Sequence, residues 1–295
     1  MTNLLLGIDG GGTSCRAALA TLSGEILGRG RSGPANIMTD LAGARQNIVE
    51  AAQLAFIDAG RDSAMIAAAD AVLGLAGTNV GNYKQQLEAV LPFRRSLVES
   101  DAVIALNGAL GAHDGAIAIV GTGSIFMSRK GGEIQTIGGW GFMLSDMGSG
   151  ARIGRDLLQQ TLLAHDDIRP GSPLTRMVMN RFDGDPREIV KFAATARPAD
   201  FGGLAPLVFE YVGKGDMVAA AIVARAVAGI EEALDALKLQ PGRRLCLLGG
   251  LAELIGPHLS DRYRAIRQPP LQDAVGGAVS MAAHLFGASM SRADD

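Results

Sequence analysis

Near its N-terminus the sequence runs Leu4-Leu5-Leu6-Gly7-Ile8-Asp9-Gly10-Gly11-Gly12-Thr13-Ser14, a short apolar segment that delivers an aspartate into three consecutive glycines and two hydroxyls. Its length and continuous apolar character predict a buried strand. Bare glycine lets backbone amides approach an anion closely, the hydroxyls of Thr13 and Ser14 can donate to phosphate oxygens, and Asp9 can hold a magnesium ion or its waters. The residues that follow exclude two commoner phosphate loops. Cys15 to Ala20 reads as another strand, whereas a Walker A loop needs Gly-Lys-Ser/Thr opening a helix and a dinucleotide turn also enters a helix. Taken alone, the segment could also be an ordinary glycine hairpin.

Working outward, Leu22-Ser23-Gly24 predicts a hairpin turn into a third strand at Glu25–Gly30. Apolar residues at helical spacing predict a helix from Leu41 to Ala59, with Thr39 and Asp40 as N-caps and Gly60 as a stop. A strand at Val72–Ala76, a helix at Asn82–Val90 closed by Pro92, a strand at Ser96–Glu99 and a helix at Ala102–Ala112 complete one β-β-β-α-β-α-β unit. The pattern then restarts. Ala116–Val120, Ser124–Arg129 and Glu133–Ile137 are strand candidates punctuated by Gly121, Gly123 and Gly131-Gly132. Helical signals dominate after Ser149, including an amphipathic stretch from Asp216 to Leu237 that ends near Pro241-Gly242. A strand at Arg244–Leu248 and a helix at Asp273–Leu285 follow, and the polar tail Ala288–Asp295 is expected to fray. The expectation is an α/β fold of two related lobes, residues 1–112 and 113–295, with a cleft between them and the last helix free to pack back on the first lobe.

Gly121-Thr122-Gly123-Ser124 repeats the device of Gly10–Ser14 at the head of the second lobe, and two such hairpins facing across a cleft can hold a triphosphate. In a third place the strand Leu245–Leu248 stops at Gly249-Gly250, where a flat base or ribose can lie against bare backbone; simple strand-to-helix packing would also use such a turn. Asp101 stands directly after the Ser96–Glu99 strand, at an end expected to face the cleft. It is the candidate base for moving a phosphoryl group to a hydroxyl, although aspartate is equally a favoured N-cap.

Composition narrows the classes. With 48% hydrophobic and 19% charged residues, 295 residues can bury the core of two lobes. A formal net charge of −3 without a Lys/Arg block argues against nucleic acid and anionic membrane as partners. Cys15 and Cys246 have neither metal-ligand nor disulfide spacing and read as core thiols. His113, His165, His258 and His284 form no zinc motif. There is no basic n-region with a long apolar h-region, and no run of about 18 apolar residues, so the chain is expected to be cytoplasmic.

The three glycine motifs together resemble the phosphate-1, phosphate-2 and adenosine motifs of the sugar kinase, heat-shock 70 kDa and actin superfamily, which implies two actin-like (ribonuclease H-like) lobes with an ATP-binding interlobe cleft. Gly138-Gly139-Trp140-Gly141-Phe142-Met143-Leu144-Ser145-Asp146-Met147-Gly148-Ser149-Gly150-Ala151 looks like the signature of the N-acetylglucosamine kinase and BadF/BadG branch. Gly33–Met38, Asp167–Pro170 and Val178–Phe182 look most like bacterial glucosamine kinases. The resemblance covers essentially the whole chain. It implies an ATP- and Mg2+-dependent kinase acting on the 6-hydroxyl of an amino sugar, glucosamine ahead of N-acetylglucosamine, and allows a homodimer. It assigns nucleotide contacts to Asp9, Gly10, Gly11, Gly12, Thr13, Ser14, Gly121, Thr122, Gly123, Ser124, Gly249 and Gly250, with Asp9 at the metal. Sugar contacts fall to Asn36, Gly77, Asp101, Gly139, Trp140 and Asp146, and catalysis to Asp101. Trp140, the single tryptophan, suits a sugar platform or the core. A carboxylate such as Asp146 near C2 would favour a free amino group. A partner-activating ATPase of the same branch would need cysteines for an iron-sulfur cluster, and Cys15 with Cys246 supplies no such pattern.

Overall fold

The computed structural model describes residues 4–78, 81–239 and 242–287; the polar tail Ala288–Asp295 and the helix stop at Pro241 lie outside them. In chain order the elements are β1 Leu5–Gly10, β2 Cys15–Ala20, β3 Ile26–Ser32, α1 Leu41–Asp58, β4 Asp70–Leu75, α2 Tyr83–Glu88, β5 Arg95–Ser100, α3 Asp101–Leu110, β6 Gly115–Val120, β7 Ser124–Lys130 and β8 Glu133–Gly138. Then come α4 Gly150–His165, α5 Pro173–Arg181, α6 Pro186–Thr195, α7 Pro198–Gly202, α8 Ala205–Gly213, α9 Met217–Ala236, β9 Arg244–Leu248, α10 Ala252–Ile255, α11 Asp261–Arg264 and α12 Ala274–Ala282. Two compact units divide the chain, Met1–His113 with Pro270–Asp295, and Asp114–Pro269. The second unit stops at Pro269, short of the expected residue 295, and α12 belongs to the first, the placement the sequence left open for the last helix.

The first unit holds a five-stranded sheet in the order β3-β2-β1-β4-β5, with β1 antiparallel to β2 and parallel to β4. Alternation along β1 sends Leu6 and Ile8 to the face covered by Ile48, Ala52 and Phe56 of α1. Leu5 goes to the opposite face, against Ile104 of α3 and Val275 and Val279 of α12. With both faces covered, Leu5–Ile8 of β1 and Ala71–Leu75 of β4 are apolar throughout, as the sequence suggested. Backbone approaches of this closeness need glycine: a Cβ on Gly277 would stand 2.1 Å from the Ile104 carbonyl oxygen.

The second unit repeats the first three strands and their parallel partner as β8-β7-β6-β9. Between β8 and β9 the chain inserts α4 to α9, whose Leu157, Val208, Ile222 and Ile230 share a core with Ala116, Ala118, Val120 and Phe126 of the sheet. Capping residues separate these helices: Ser149 for α4, Ser172 in a capping box for α5, Asp216 for α9. A short 3-10 turn at Ser63–Ala68, capped by Asp62, was not foreseen from the sequence.

Candidate functional site

Strand register builds the first half of the site. Gly10 pairs with Leu75, and Leu75 pairs with Ser100, all in parallel strands. The chain leaves these neighbouring strands at the same level, so the hairpin after Gly10, the Ala76-Gly77 turn and Asp101 share one edge within about 10 Å. Main-chain bonds tie the loops there: Ala35 N–H to Gly11 O at 2.8 Å, Ala76 N–H to Gly10 O at 2.8 Å and Ile37 N–H to Ala76 O at 3.1 Å. Gly77 has φ +91°, and a Cβ there would lie 2.8 Å from Asn36 Oδ1. That oxygen accepts from Met38 and Thr39 N–H at 3.1 and 3.3 Å, which leaves the Asn36 amide nitrogen without a partner among the described residues.

Asp101 is not the cap of its helix. Ser100 takes that place, accepting from Val103 N–H at 3.3 Å, and Asp101 sits one residue inside, its carboxyl accepting from Ala102 N–H at 2.8 Å. Burial pushes the Asp101 carboxyl up, the Ala102 N–H opposes the shift, and the nearby charge of Asp9 adds to it. Asp9 faces Arg16 directly across the β1–β2 hairpin and forms an ion pair with it. Arg16 was not anticipated from the sequence; its position opposite Asp9 follows from a hairpin that turns symmetrically between them.

In the second unit, Ile119 of β6 pairs with Leu248 of β9, so the Gly121–Ser124 hairpin and the Gly249-Gly250 turn leave neighbouring parallel strands side by side. Gly249 has φ +90°, and a Cβ on it would meet the Val120 carbonyl oxygen at 2.5 Å, so only glycine closes this turn. The start of α4 docks on the hairpin, with Gly150 and Ala151 N–H donating to the Gly121 and Thr122 carbonyls at 2.8 and 3.1 Å. Ser124 points inward, its hydroxyl donating to Met147 O at 2.8 Å. Asp146 is buried behind it, with φ +59° and its carboxyl accepting from the N–H groups of Ser124 and Gly141. Burial nevertheless raises this carboxyl, against those N–H groups and the charge of Arg152. Trp140 is 77% exposed beside an apolar groove of about 820 Å³ that Phe142, Met143 and Leu144 also line, so it is not a core residue. Asn36, Gly77 and Asp101 thus belong to the first unit, and Gly139, Trp140 and Asp146 to the second.

Two hairpins that leave N–H groups and hydroxyls unspent over bare glycine can cradle phosphate. Gly12 and Thr13 in one, and Thr122 and Gly123 in the other, donate no main-chain bond among the described residues, and a Cβ on Gly12 would have no atom within 4 Å. A profile described as the BadF/BadG/BcrA/BcrD ATPase family matches residues 6–279. The chain belongs to this family. Among its relatives, the glucosamine kinase GspK of Vibrio cholerae is 38% identical over 95% of this chain and 96% of its own. A solved structure from Chromobacterium violaceum, assigned to the N-acetylglucosamine kinases, is 32% identical with a TM-score of 0.86, covering 94% of this chain and 97% of that one. The fold extends further, to a ROK family glucokinase from Streptomyces griseus at a TM-score of 0.54 and 17% identity, over 95% of this chain and 98% of that one. The α/β architecture is accordingly that of the actin-like sugar kinases and ATPases.

The family is one of ATPases, and the donor sets of the two hairpins suit phosphate oxygens. Among the described residues no three His, Cys, Asp or Glu side chains converge, so a magnesium ion here would be held by Asp9 together with phosphate oxygens and water. Both cysteines are buried, Cys15 in the first unit and Cys246 in the second. No described helix is long and apolar enough to cross a membrane.

Proposed function

We propose that this protein is an ATP-dependent amino-sugar kinase of the cytoplasm that transfers the γ-phosphate of ATP to the 6-hydroxyl of D-glucosamine. The observation that carries the reading is the placement of Asp101 on the same sheet edge as the Gly10–Ser14 hairpin, Asn36 and Gly77. Likeness to a glucosamine kinase along nearly the whole chain supports the substrate. In the proposed reaction Gly10–Ser14 and Gly121–Gly123 hold the phosphates, Gly249-Gly250 the adenosine, and Asn36, Gly77, Gly139 and Trp140 the sugar; Ser124, expected among the phosphate donors, gives its hydroxyl to Met147 O instead. Magnesium, when bound at Asp9, supplies charge neutralisation on the phosphates. Asp101 takes the proton of the 6-hydroxyl as the O6–P bond forms, the bond from the γ-phosphorus to the bridging oxygen breaks, and ADP leaves. An upward-shifted carboxyl is the better base near neutral pH.

One observation favours N-acetylglucosamine as a second reading. The Asp146 carboxyl is buried and engaged by Ser124 and Gly141 N–H, so it is not presented as an open counter-charge for a 2-ammonium group. Steady-state rates with glucosamine and N-acetylglucosamine at equal concentration decide between them: a kcat/KM ratio above one for glucosamine supports the first reading, and a ratio below one the second.

A further inference from the structure

Away from the candidate site, α4 and α9 enclose a groove of about 700 Å³ lined by Arg152, Arg155, Arg169 and Arg225 against Asp156 and Glu232. Pairing within the groove uses little of this positive charge. Arg225 gives Nε and Nη2 to one Asp156 oxygen at 3.0 and 2.8 Å. Arg169 spends one Nη1 bond on Gln160 at 2.7 Å, Arg152 reaches only the Ser145 carbonyl at 3.4 Å, and Arg155 lies over the Phe142 ring at 5.7 Å. Three guanidiniums therefore keep most of their donors. Neighbouring arginines repel one another until an anion joins them, and their planar forks match phosphate oxygens two at a time.

We propose that this groove is a second binding site, for a small sugar phosphate, and that occupancy is felt at the Gly121–Ser124 hairpin through α4. The route is short. Arg152 lies close enough to Asp146 to act on its charge, Asp146 accepts the Ser124 N–H, and the first turn of α4 donates to Gly121 and Thr122. An anion held by Arg152 withdraws that guanidinium's support from Asp146 and loosens the hairpin. With the kinase reading above, on which this part rests, the ligand is the reaction's own product and the effect is inhibition.

Isothermal titration of the full chain tests this, with glucosamine 6-phosphate and inorganic phosphate as probes and with glucosamine and a non-hydrolysable ATP analogue saturating the candidate site. One equivalent of sugar phosphate is expected to bind, at least tenfold more weakly to the double variant R169Q/R225Q, whose turnover without sugar phosphate should equal the parent's. Absent binding, undiminished binding to the double variant, or inorganic phosphate binding as tightly as the sugar phosphate would overturn the proposal. Arginine-dependent binding in a protein that turns over no sugar would sustain the groove and remove the kinase reading instead.

Discussion

At the scale of single residues, Asp101 and Asp70 carry opposite perturbations with different consequences. Asp101→Asn should lower kcat by roughly a hundredfold to ten-thousandfold, with KM for the sugar changed far less. Because burial raises the Asp101 carboxyl, the acidic limb of the kcat/KM profile should lie above the usual carboxylate range; a limb at or below pH 4 would remove Asp101 as the base. Asp70 is fully buried at the start of β4. Its burial alone would raise the carboxyl, but Arg95 and Arg94 outweigh that with hydrogen bonds, including 3.0 and 2.9 Å contacts to Oδ1, and hold it at about 2 against an ordinary 3.8. A folded value below the unfolded one gives stability that is complete above about pH 4 and lost as pH falls towards 2. Asp70→Asn should cost about 1–3 kcal/mol at pH 7, with a smaller gap to the parent in melts near pH 3. The place of Asp101 at a strand end was legible in the sequence, which left a base and an N-cap open; the structure gives the cap to Ser100. Arg16 and the burial of Asp146 were not legible, since each depends on a partner brought close by register or by a loop folding over a hairpin.

At the scale of elements, glycine sets how closely the pieces approach. Gly277→Val would drive a side chain into the Ile104 carbonyl and lift α12 from the sheet, costing about 1–3 kcal/mol or more, readable as a lowered melting temperature. Gly249→Ala combines positive φ with a clash on Val120 and should weaken ATP-analogue binding more than sugar binding; equal losses would contradict the adenosine role. The glycine hairpins were readable because an apolar strand, glycines and hydroxyls stand consecutively in the chain. The home of α12 was only half readable: the sequence left the last helix free to pack back on the first lobe, but the surface it packs on lies some 170 positions earlier, at Gly108 and Ile104. The division of residues 150–213 into five helices depended on caps such as Ser172 and Asp185, which are hard to rank among many polar residues in a long helical stretch.

For the molecule as a whole, the two units repeat one strand arrangement, and the sequence showed this through two hairpin motifs at matching places. The repeat is incomplete. A single helix and a 3-10 turn separate β3 from β4, whereas six helices separate β8 from β9, which is how the second unit acquires the groove between α4 and α9. Whether this chain is an amino-sugar kinase using Asp101 as base is decided by ADP release with Mg-ATP. The panel is glucosamine, N-acetylglucosamine, glucose and no sugar, for the parent and Asp101→Ala. Sugar-dependent release, greatest with glucosamine and lost in the variant, is the expected result; sugar-independent hydrolysis that is unchanged in the variant would overturn the kinase reading.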